Sequence, residues 1–217
     1  MSAAGAAIPS THPGCHTGAM SDWADPLVLA SASQRRRELL ETVGVPIEVI
    51  AADVDETLAD GVDAAAAVRM LARRKAAAVA ASRPARAVLA ADTLVAIDGR
   101  LLGKPAGPDE ARAMLLALSG RWHEVLTGVV LHTGTRTIDR LAVTEVRIAA
   151  LDDEEIRRYV AGPEPYDKAG GYGIQAIAGW FVAEIRGSYS NVMGLPLETV
   201  REMLLEAGLP LPRLGAP

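Results

Sequence analysis

The segment 88–105, VLAADTLVAIDGRLLGKP, constrains the fold more than any other part of the chain. Its apolar residues occupy consecutive positions, which predicts a β-strand buried on both faces. Asp92 interrupts this run, and Asp98-Gly99 provides a hairpin turn into a second short strand. A buried carboxylate must be paired, hydrogen-bonded or bound to a metal, because leaving it bare costs several kcal/mol. Asp92 is therefore either a structural residue bonded to loop amides or the acid of a functional cleft.

Composition limits the classes of protein that the chain can belong to. The 217 residues are 50% hydrophobic, which suffices for one substantial core in one domain or two lobes. The formal charge of −5 argues against a broad basic face for nucleic acid, although a small basic pocket for a nucleotide is compatible with it. A single cysteine fits a reducing compartment, and no stretch approaches the roughly 20 apolar residues of a membrane span. We expect a cytoplasmic protein that binds neither nucleic acid nor membrane.

The two ends of the chain differ in composition from its centre. Residues 1–24 are rich in Ala, Gly, Ser, Pro and Thr and lack apolar periodicity, which predicts a disordered N-terminal extension. Residues 25–208 contain no convincing internal linker and no repeat, and the Pro-rich remainder after the last predicted helix is a tail. We therefore expect one domain, residues 25–217, after the extension.

The first candidate site follows the first predicted strand, residues 26–30. Ser31-Ala-Ser33 leads into a helix from Gln34, with Ser33 as its N-cap and arginines at 35–37 in its first turn. Free amides and positive charge converge at such a helix terminus, which favours phosphate binding. The alternative is that the arginines pair with glutamates on a solvated face of the same helix, which should hold for at least one of them.

Acidic residues and a lysine follow in the next two segments. After a predicted strand at 47–52, the stretch Asp53-Val-Asp-Glu56 offers the hard oxygen ligands that suit Mg²⁺ or Mn²⁺, or is simply a solvated acidic loop. The helix predicted at 63–82 has Asp63 as its N-cap. It carries Lys75 on its apolar face, where the ammonium either reaches the surface or enters a site. Lys104 precedes a proline, so its backbone should be extended.

A glycine-dense loop, residues 165–176, is the last candidate site. Its glycines permit close approach of the backbone to a ligand, and Lys168 and Gln175 offer polar contacts. The alternative is an ordinary flexible loop. The remaining pattern predicts helices at 108–118, 152–161 and 197–207 and strands at 122–132, 141–149 and 180–185.

Several separated stretches together resemble one family, the Maf nucleoside triphosphate pyrophosphatases. They cover nearly all of 27–205 in family order: LASASQRRRELL, DVDE, LARRKA, AADTLV, LLGKP, LSGRWHEVLTGV, YDKAGGYGIQA and GSYSNVMGLP. The resemblance implies an α/β fold akin to inosine triphosphate pyrophosphatases, two-lobed, with a long mixed β-sheet, flanking helices and a central cleft. It also implies hydrolysis of a nucleoside triphosphate to the monophosphate and pyrophosphate with Mg²⁺ or Mn²⁺.

The resemblance also assigns roles to residues. Asp92 corresponds to the catalytic acid/base. The implied substrate-binding residues are Ser31, Arg35, Lys75, Thr93, Lys104, Lys168 and Gln175, and the implied metal ligands are Asp55, Glu56 and Asp92. The form DKAG-Y-GIQ is similar to the subfamily that acts on dTTP and UTP.

Two positions depart from the family pattern. Gln34 stands where the family has Pro, which leaves Arg36 as an alternative to Arg35, and Ala176 stands where the family has Gly beside the base pocket. The chain has no Walker loop, so a P-loop hydrolase is not expected. The rival hypothesis is a non-catalytic nucleotide-binding regulator of cell division or septum formation. A homodimer is left as an open alternative to the monomer.

Overall fold

The computed structural model describes residues 23–59 and 61–212. The predicted extension at 1–24 therefore lies outside the described residues except for its last two, and it stays a prediction. Of those two, Trp23 is half-buried and packs against a hydrophobic core. No helix in the described part of the chain combines the length and apolar character that crossing a membrane requires.

Within the described residues, seven strands form one mixed sheet in the order β2-β1-β3-β5-β6-β7, and β4 pairs with β3 off this path. The first strand, β1, is parallel to β2 and β3, and the other pairings are antiparallel. The strands are β1 (Leu27–Leu29), β2 (Ile47–Val49), β3 (Val88–Ile97), β4 (Arg100–Leu102), β5 (Trp122–His132), β6 (Thr137–Ile148) and β7 (Val182–Arg186).

In the part of the chain that the structure describes, six α-helices flank the sheet, and the caps expected from the sequence form at the first two. Ser33 and Asp63 accept hydrogen bonds from backbone N–H groups three residues on, which satisfies donors that a helix N-terminus leaves free. The helices are α1 (Gln34–Thr42), α2 (Ala64–Ser82), α3 (Pro108–Leu118), α4 (Asp153–Val160), α5 (Tyr189–Met193) and α6 (Leu197–Glu206).

Three strand predictions needed correction. The strand expected at 47–52 ends at Val49, and β6 begins at Thr137 because the hairpin through Gly134 continues its pairing with β5. The strand expected from Trp180 begins only at Val182. Residues 177–181 form a 3₁₀ turn instead, and Trp180 is 87% exposed, so the apolar pattern there does not report burial in the sheet.

Two large hydrophobic clusters lie at opposite ends of the central strands β3 and β5. This division confirms the expected two-lobed α/β fold. The α6-side core includes Leu40, Leu89 and Met203, and the α3-side core includes Val95 and Leu115. Strand β3 passes from the first core into the second. Asp92 and Thr93 lie on β3 between the two cores.

Candidate active site

The candidate site lies where β3 has a free edge. On this edge β1 pairs with β3 at Val88 and Leu89, and β4 pairs with it only from Val95 onwards. Among the described residues, positions 90–94 thus have no partner strand there. The site is therefore a gap in the sheet, and the segments that leave β1 and β4, at Ser31 and Lys104, border it.

Alternation along β3 determines what its two polar side chains contact. Val88 and Ala90 pack in the cluster under α2, whereas Leu89 and Ala91 pack in the α6-side core. Because side chains of a strand alternate between faces, Asp92 faces α2 and the neighbouring Thr93 faces α1 and α6.

Asp92 is 7% exposed and meets Lys75 of α2, whose Nζ donates to Asp92 Oδ1. The same ammonium lies 2.8 Å from Glu56 Oε1. Lys75 is itself 8% exposed, so it enters the site rather than reaching solvent. One buried cation thus joins the predicted catalytic carboxylate to one of the predicted metal ligands.

Gly128 explains how α2 comes close enough to deliver Lys75. This residue of β5 is the register partner of Asp92, and a Cβ added to it would lie 2.5 Å from the carbonyl oxygen of Val68 in α2. Real Cβ atoms do not approach a backbone oxygen so closely, so only glycine allows this packing. Nothing in the local sequence pattern pointed to this role of Gly128, because Val68 and Gly128 are far apart in the chain.

On the other face, Arg36 is the arginine that enters the site. Its Nε donates to Gly194 O at 2.8 Å, and its two terminal nitrogens donate to Ser31 Oγ at 3.1 Å and Thr93 Oγ1 at 3.0 Å. All three acceptors are neutral. Burial lowers the pKa of Arg36, and the nearby Asp92 carboxylate partly offsets that effect. The site therefore holds a positive charge that these three hydrogen bonds do not neutralise.

The two neighbouring arginines lie elsewhere. Arg35, the residue that the resemblance assigned to the substrate, directs its Nη1 to Asp167 Oδ2 at 3.2 Å. Arg37 pairs with Glu41 at 2.8 Å on an exposed face of α1, which confirms that at least one of the three arginines has only a surface role. The structure brings Ser31 and Thr93 together with Arg36 rather than with Arg35.

The glycine-dense loop packs against the segment after β4. The N–H of Gly170 donates to Gly103 O at 3.0 Å, beside Lys104. Lys168 donates to Asp167 Oδ1 at 2.6 Å and to Glu164 O at 2.9 Å. The side chains of Lys104 and Gln175 are exposed. These contacts place the loop at the same gap in the sheet.

A buried pair that the sequence analysis missed anchors this loop. His123 on β5 is 3% exposed, and its Nε2 lies 2.7 Å from the hydroxyl oxygen of Tyr172. Burial lowers the pKa of His123 to about 4 and raises the pKa of Tyr172, so both groups are neutral at pH 7. Both occur in the quoted family stretches, but without the fold nothing indicated that they meet.

The carboxylates can be tested for their fit to a divalent cation. Glu56 and Asp92 converge on the ammonium of Lys75, so their oxygens already face a shared positive charge, and carboxylate oxygens suit Mg²⁺ and Mn²⁺. Asp55 instead accepts a hydrogen bond from Thr57 N at 2.9 Å, and hydrogen bonds from Thr57 hold its pKa below the ordinary value. Within residues 23–59 and 61–212 there is no group of three or more His, Cys, Asp or Glu suited to hold a metal. Glu56 and Asp92 therefore fit such an ion better than Asp55 does.

Comparison with solved structures identifies the class of fold. The Ham1 protein of Staphylococcus aureus superimposes with a TM-score of 0.50 over 84% of this chain and 100% of its own, at 14% sequence identity. At this identity the similarity concerns the fold alone, an α/β fold built on a mixed sheet.

The family follows from sequence. The family model described as Maf-like protein matches residues 26–207, and the chain belongs to this family. Proteins named dTTP/UTP pyrophosphatase are similar over most of their length. The one from Salinibacter ruber is 53% identical over 82% of this chain and 89% of its own. That of Myxococcus xanthus is 51% identical over 86% and 94%, and that of Chromobacterium violaceum 47% over 86% and 96%.

Proposed function

We propose that this protein is a nucleoside triphosphate pyrophosphatase that hydrolyses dTTP and UTP to the monophosphate and pyrophosphate. The observation that carries the proposal is the buried Lys75–Asp92 pair at the gap in the sheet, next to the Arg36 guanidinium. The names of the relatives, at about half identity over most of their length, support the same substrates.

Asp92 is the group that accepts a proton in this scheme. Water attacks the α-phosphorus, the bond from that phosphorus to the oxygen bridging to the β-phosphate breaks, and the proton of the water passes to Asp92. Lys75 keeps Asp92 oriented through the hydrogen bond that its ammonium donates to Asp92 Oδ1. Arg36 adds positive charge where the leaving pyrophosphate gains negative charge.

A divalent cation fits the carboxylates of this site. Glu56 and Asp92 would hold Mg²⁺ or Mn²⁺, with Asp55 adjoining. When bound, the ion would neutralise phosphate charge and make its water more acidic.

The remaining predicted residues would bind the nucleotide. Arg35, Lys104 and Lys168 supply cations for the phosphates, and Ser31 and Thr93 keep Arg36 in place. The amide of Gln175 can donate and accept together, which suits the imide edge of a pyrimidine. We further propose a cytoplasmic location, no binding to nucleic acid or membrane, and a homodimer as the alternative to a monomer.

The test is pyrophosphate release by the purified protein with Mg²⁺ or Mn²⁺ on dTTP, UTP, CTP and 7-methyl-GTP. We expect turnover of dTTP and UTP, and a fall in kcat of about 10²–10⁴-fold in Asp92→Asn, the usual contribution of a general base. Asp98→Asn is the matched control, because Asp98 lies in the hairpin turn after β3 and pairs with Arg121.

Two results would change the assignment. Full activity of Asp92→Asn would remove Asp92 from the mechanism. Nucleotide binding without turnover on any member of the panel would favour the non-catalytic regulator.

A further inference from the structure

Asp167 holds two cations at once, and the proposed function uses neither contact. Its Oδ2 lies 3.2 Å from Arg35 Nη1, and its Oδ1 lies 2.6 Å from Lys168 Nζ. The Asp167 side chain is 65% exposed, whereas those of Arg35 and Lys168 are 25% and 12% exposed. An accessible carboxylate thus occupies two largely covered cations that were assigned to the substrate.

The contact with Arg35 also joins the two lobes. Arg35 belongs to α1, whose Leu40 lies in the α6-side core. Asp167 follows Tyr166, which packs against the α3-side core. The two residues are 132 positions apart in the chain. The ion pair therefore spans the same gap in the sheet that holds Asp92.

Asp167 is an anion at neutral pH. Partial burial raises the pKa of its carboxyl, but Lys168 and Arg35 outweigh that effect and hold the pKa below its ordinary value. Each carboxylate oxygen faces one cation, as an oxygen of a bound phosphate would. The carboxylate therefore imitates part of a polyphosphate ligand.

We propose that Asp167 is an internal anion that occupies Arg35 and Lys168 before substrate binds, and that the polyphosphate of the substrate displaces it. The inference rests on the proposed function, because it takes both cations as phosphate-binding. Exposed ion pairs are weak, so a ligand with several negative charges can replace one carboxylate. When the cations are released from Asp167 in only a fraction of molecules, the apparent affinity for polyphosphate is the intrinsic affinity multiplied by that fraction.

The first test is the affinity for inorganic tripolyphosphate, measured by isothermal titration calorimetry. Asp167→Asn keeps the size of the side chain and removes its charge. We expect its Kd to fall about two- to fivefold below that of the unmodified protein, the range that exposed ion pairs support. Asp98→Asn removes the same charge from a side chain that is 63% exposed and paired with Arg121, and its Kd should not change.

A double-mutant cycle separates competition from a general effect of charge. In the Arg35→Ala background one of the two cations is absent. Adding Asp167→Asn there should improve tripolyphosphate binding by a smaller factor than it does in the unmodified protein. An equal improvement in both backgrounds would show that Asp167 acts through bulk charge, and it would overturn the proposal.

The remaining outcomes are also decisive. An unchanged or weaker affinity in Asp167→Asn, or no detectable binding in either protein, would overturn the internal anion. Loss of folding in Asp167→Asn would overturn it too, because a displaceable carboxylate is not required for the fold. Tighter tripolyphosphate binding without turnover of dTTP or UTP would uphold the internal anion and remove the proposed function. Turnover of dTTP or UTP, with an unchanged Kd for tripolyphosphate in Asp167→Asn, would uphold the proposed function and overturn the internal anion.

Discussion

Arg36 connects three separate segments through a single buried side chain. Its acceptors are Ser31 after β1, Thr93 on β3 and Gly194 after α5. A guanidinium presents its donors in a fixed planar fork, which matches three acceptors in different directions better than a flexible ammonium does. Its geometry therefore supports the fold as well as the charge of the site.

We expect Arg36→Lys to lower the free energy of unfolding by about 1–3 kcal/mol, because lysine keeps the charge but leaves buried acceptors unpaired. Urea denaturation at neutral pH measures the loss. Arg37→Lys is the control on the same helix, and the exposed Arg37–Glu41 pair predicts a change of less than about 0.5 kcal/mol. Equal effects of the two substitutions would contradict the structural role of Arg36.

Among the elements, the glycine-dense loop depends on a contact outside itself. Tyr172, between Lys168 and Gln175, is 5% exposed and its ring packs edge-on against His123, with centroids 5.4 Å apart. Burial of the imidazole favours its neutral form, so protonation of His123 opposes the folded state. The position of the loop is thereby linked to the charge of a residue on β5.

This linkage predicts a dependence of stability on pH. The pKa of His123 is 6.5 in the ordinary case and about 4 in the folded protein, so between these values the unfolded chain binds more protons. Stability should therefore fall as the pH is lowered from about 6.5 to about 4, by roughly 3 kcal/mol from this residue.

Urea denaturation at pH 7 and pH 4.5 tests this prediction. His123→Gln keeps a polar group near Tyr172 but does not titrate, so the difference in stability between the two pH values should shrink by roughly 2 kcal/mol. Carboxylates contribute equally to the slope of both proteins. The same slope in both would mean that His123 is not the group responsible.

At the scale of the whole molecule, the two lobes share their strands. Strand β3 contributes Leu89 to the α6-side core and Val95 to the α3-side core, and β5 contributes Leu131 and Val125 in the same way. Opening one core therefore disturbs the strands that complete the other. The lobes should behave as one folding unit although they have separate hydrophobic clusters.

We accordingly expect a single cooperative unfolding transition. Trp23 packs against the α6-side core, whereas Trp122 on β5 lies under the guanidinium of Arg186, 4.1 Å from the ring centroid, near the other core. Removing one of these tryptophans shifts the fluorescence signal towards the lobe that keeps the other. Trp23→Phe shifts it towards the α3-side lobe, and Trp122→Phe shifts it towards the α6-side lobe. Coincident urea transitions in both variants and in far-UV circular dichroism support one unit. Separate midpoints would show that the lobes unfold independently.

Much of the architecture was predictable because it depends on local patterns. The consecutive apolar run around Asp92 predicted a doubly buried strand, and Ser33 and Asp63 marked helix starts that the structure confirms. The inward position of Lys75 followed from helical periodicity, since a residue four positions from two apolar neighbours shares their face.

The tertiary structure alone decided which residues meet. Three adjacent arginines are equivalent in the local pattern, yet helical rotation and the packing of α1 direct Arg36 to Thr93, Arg35 to Asp167 and Arg37 to solvent. The gap between β1 and β4 and the pairing of His123 with Tyr172 also depend on strand order, because each joins segments that are distant in the chain. Periodicity carries information over a few turns or one strand, whereas these contacts depend on how whole elements pack.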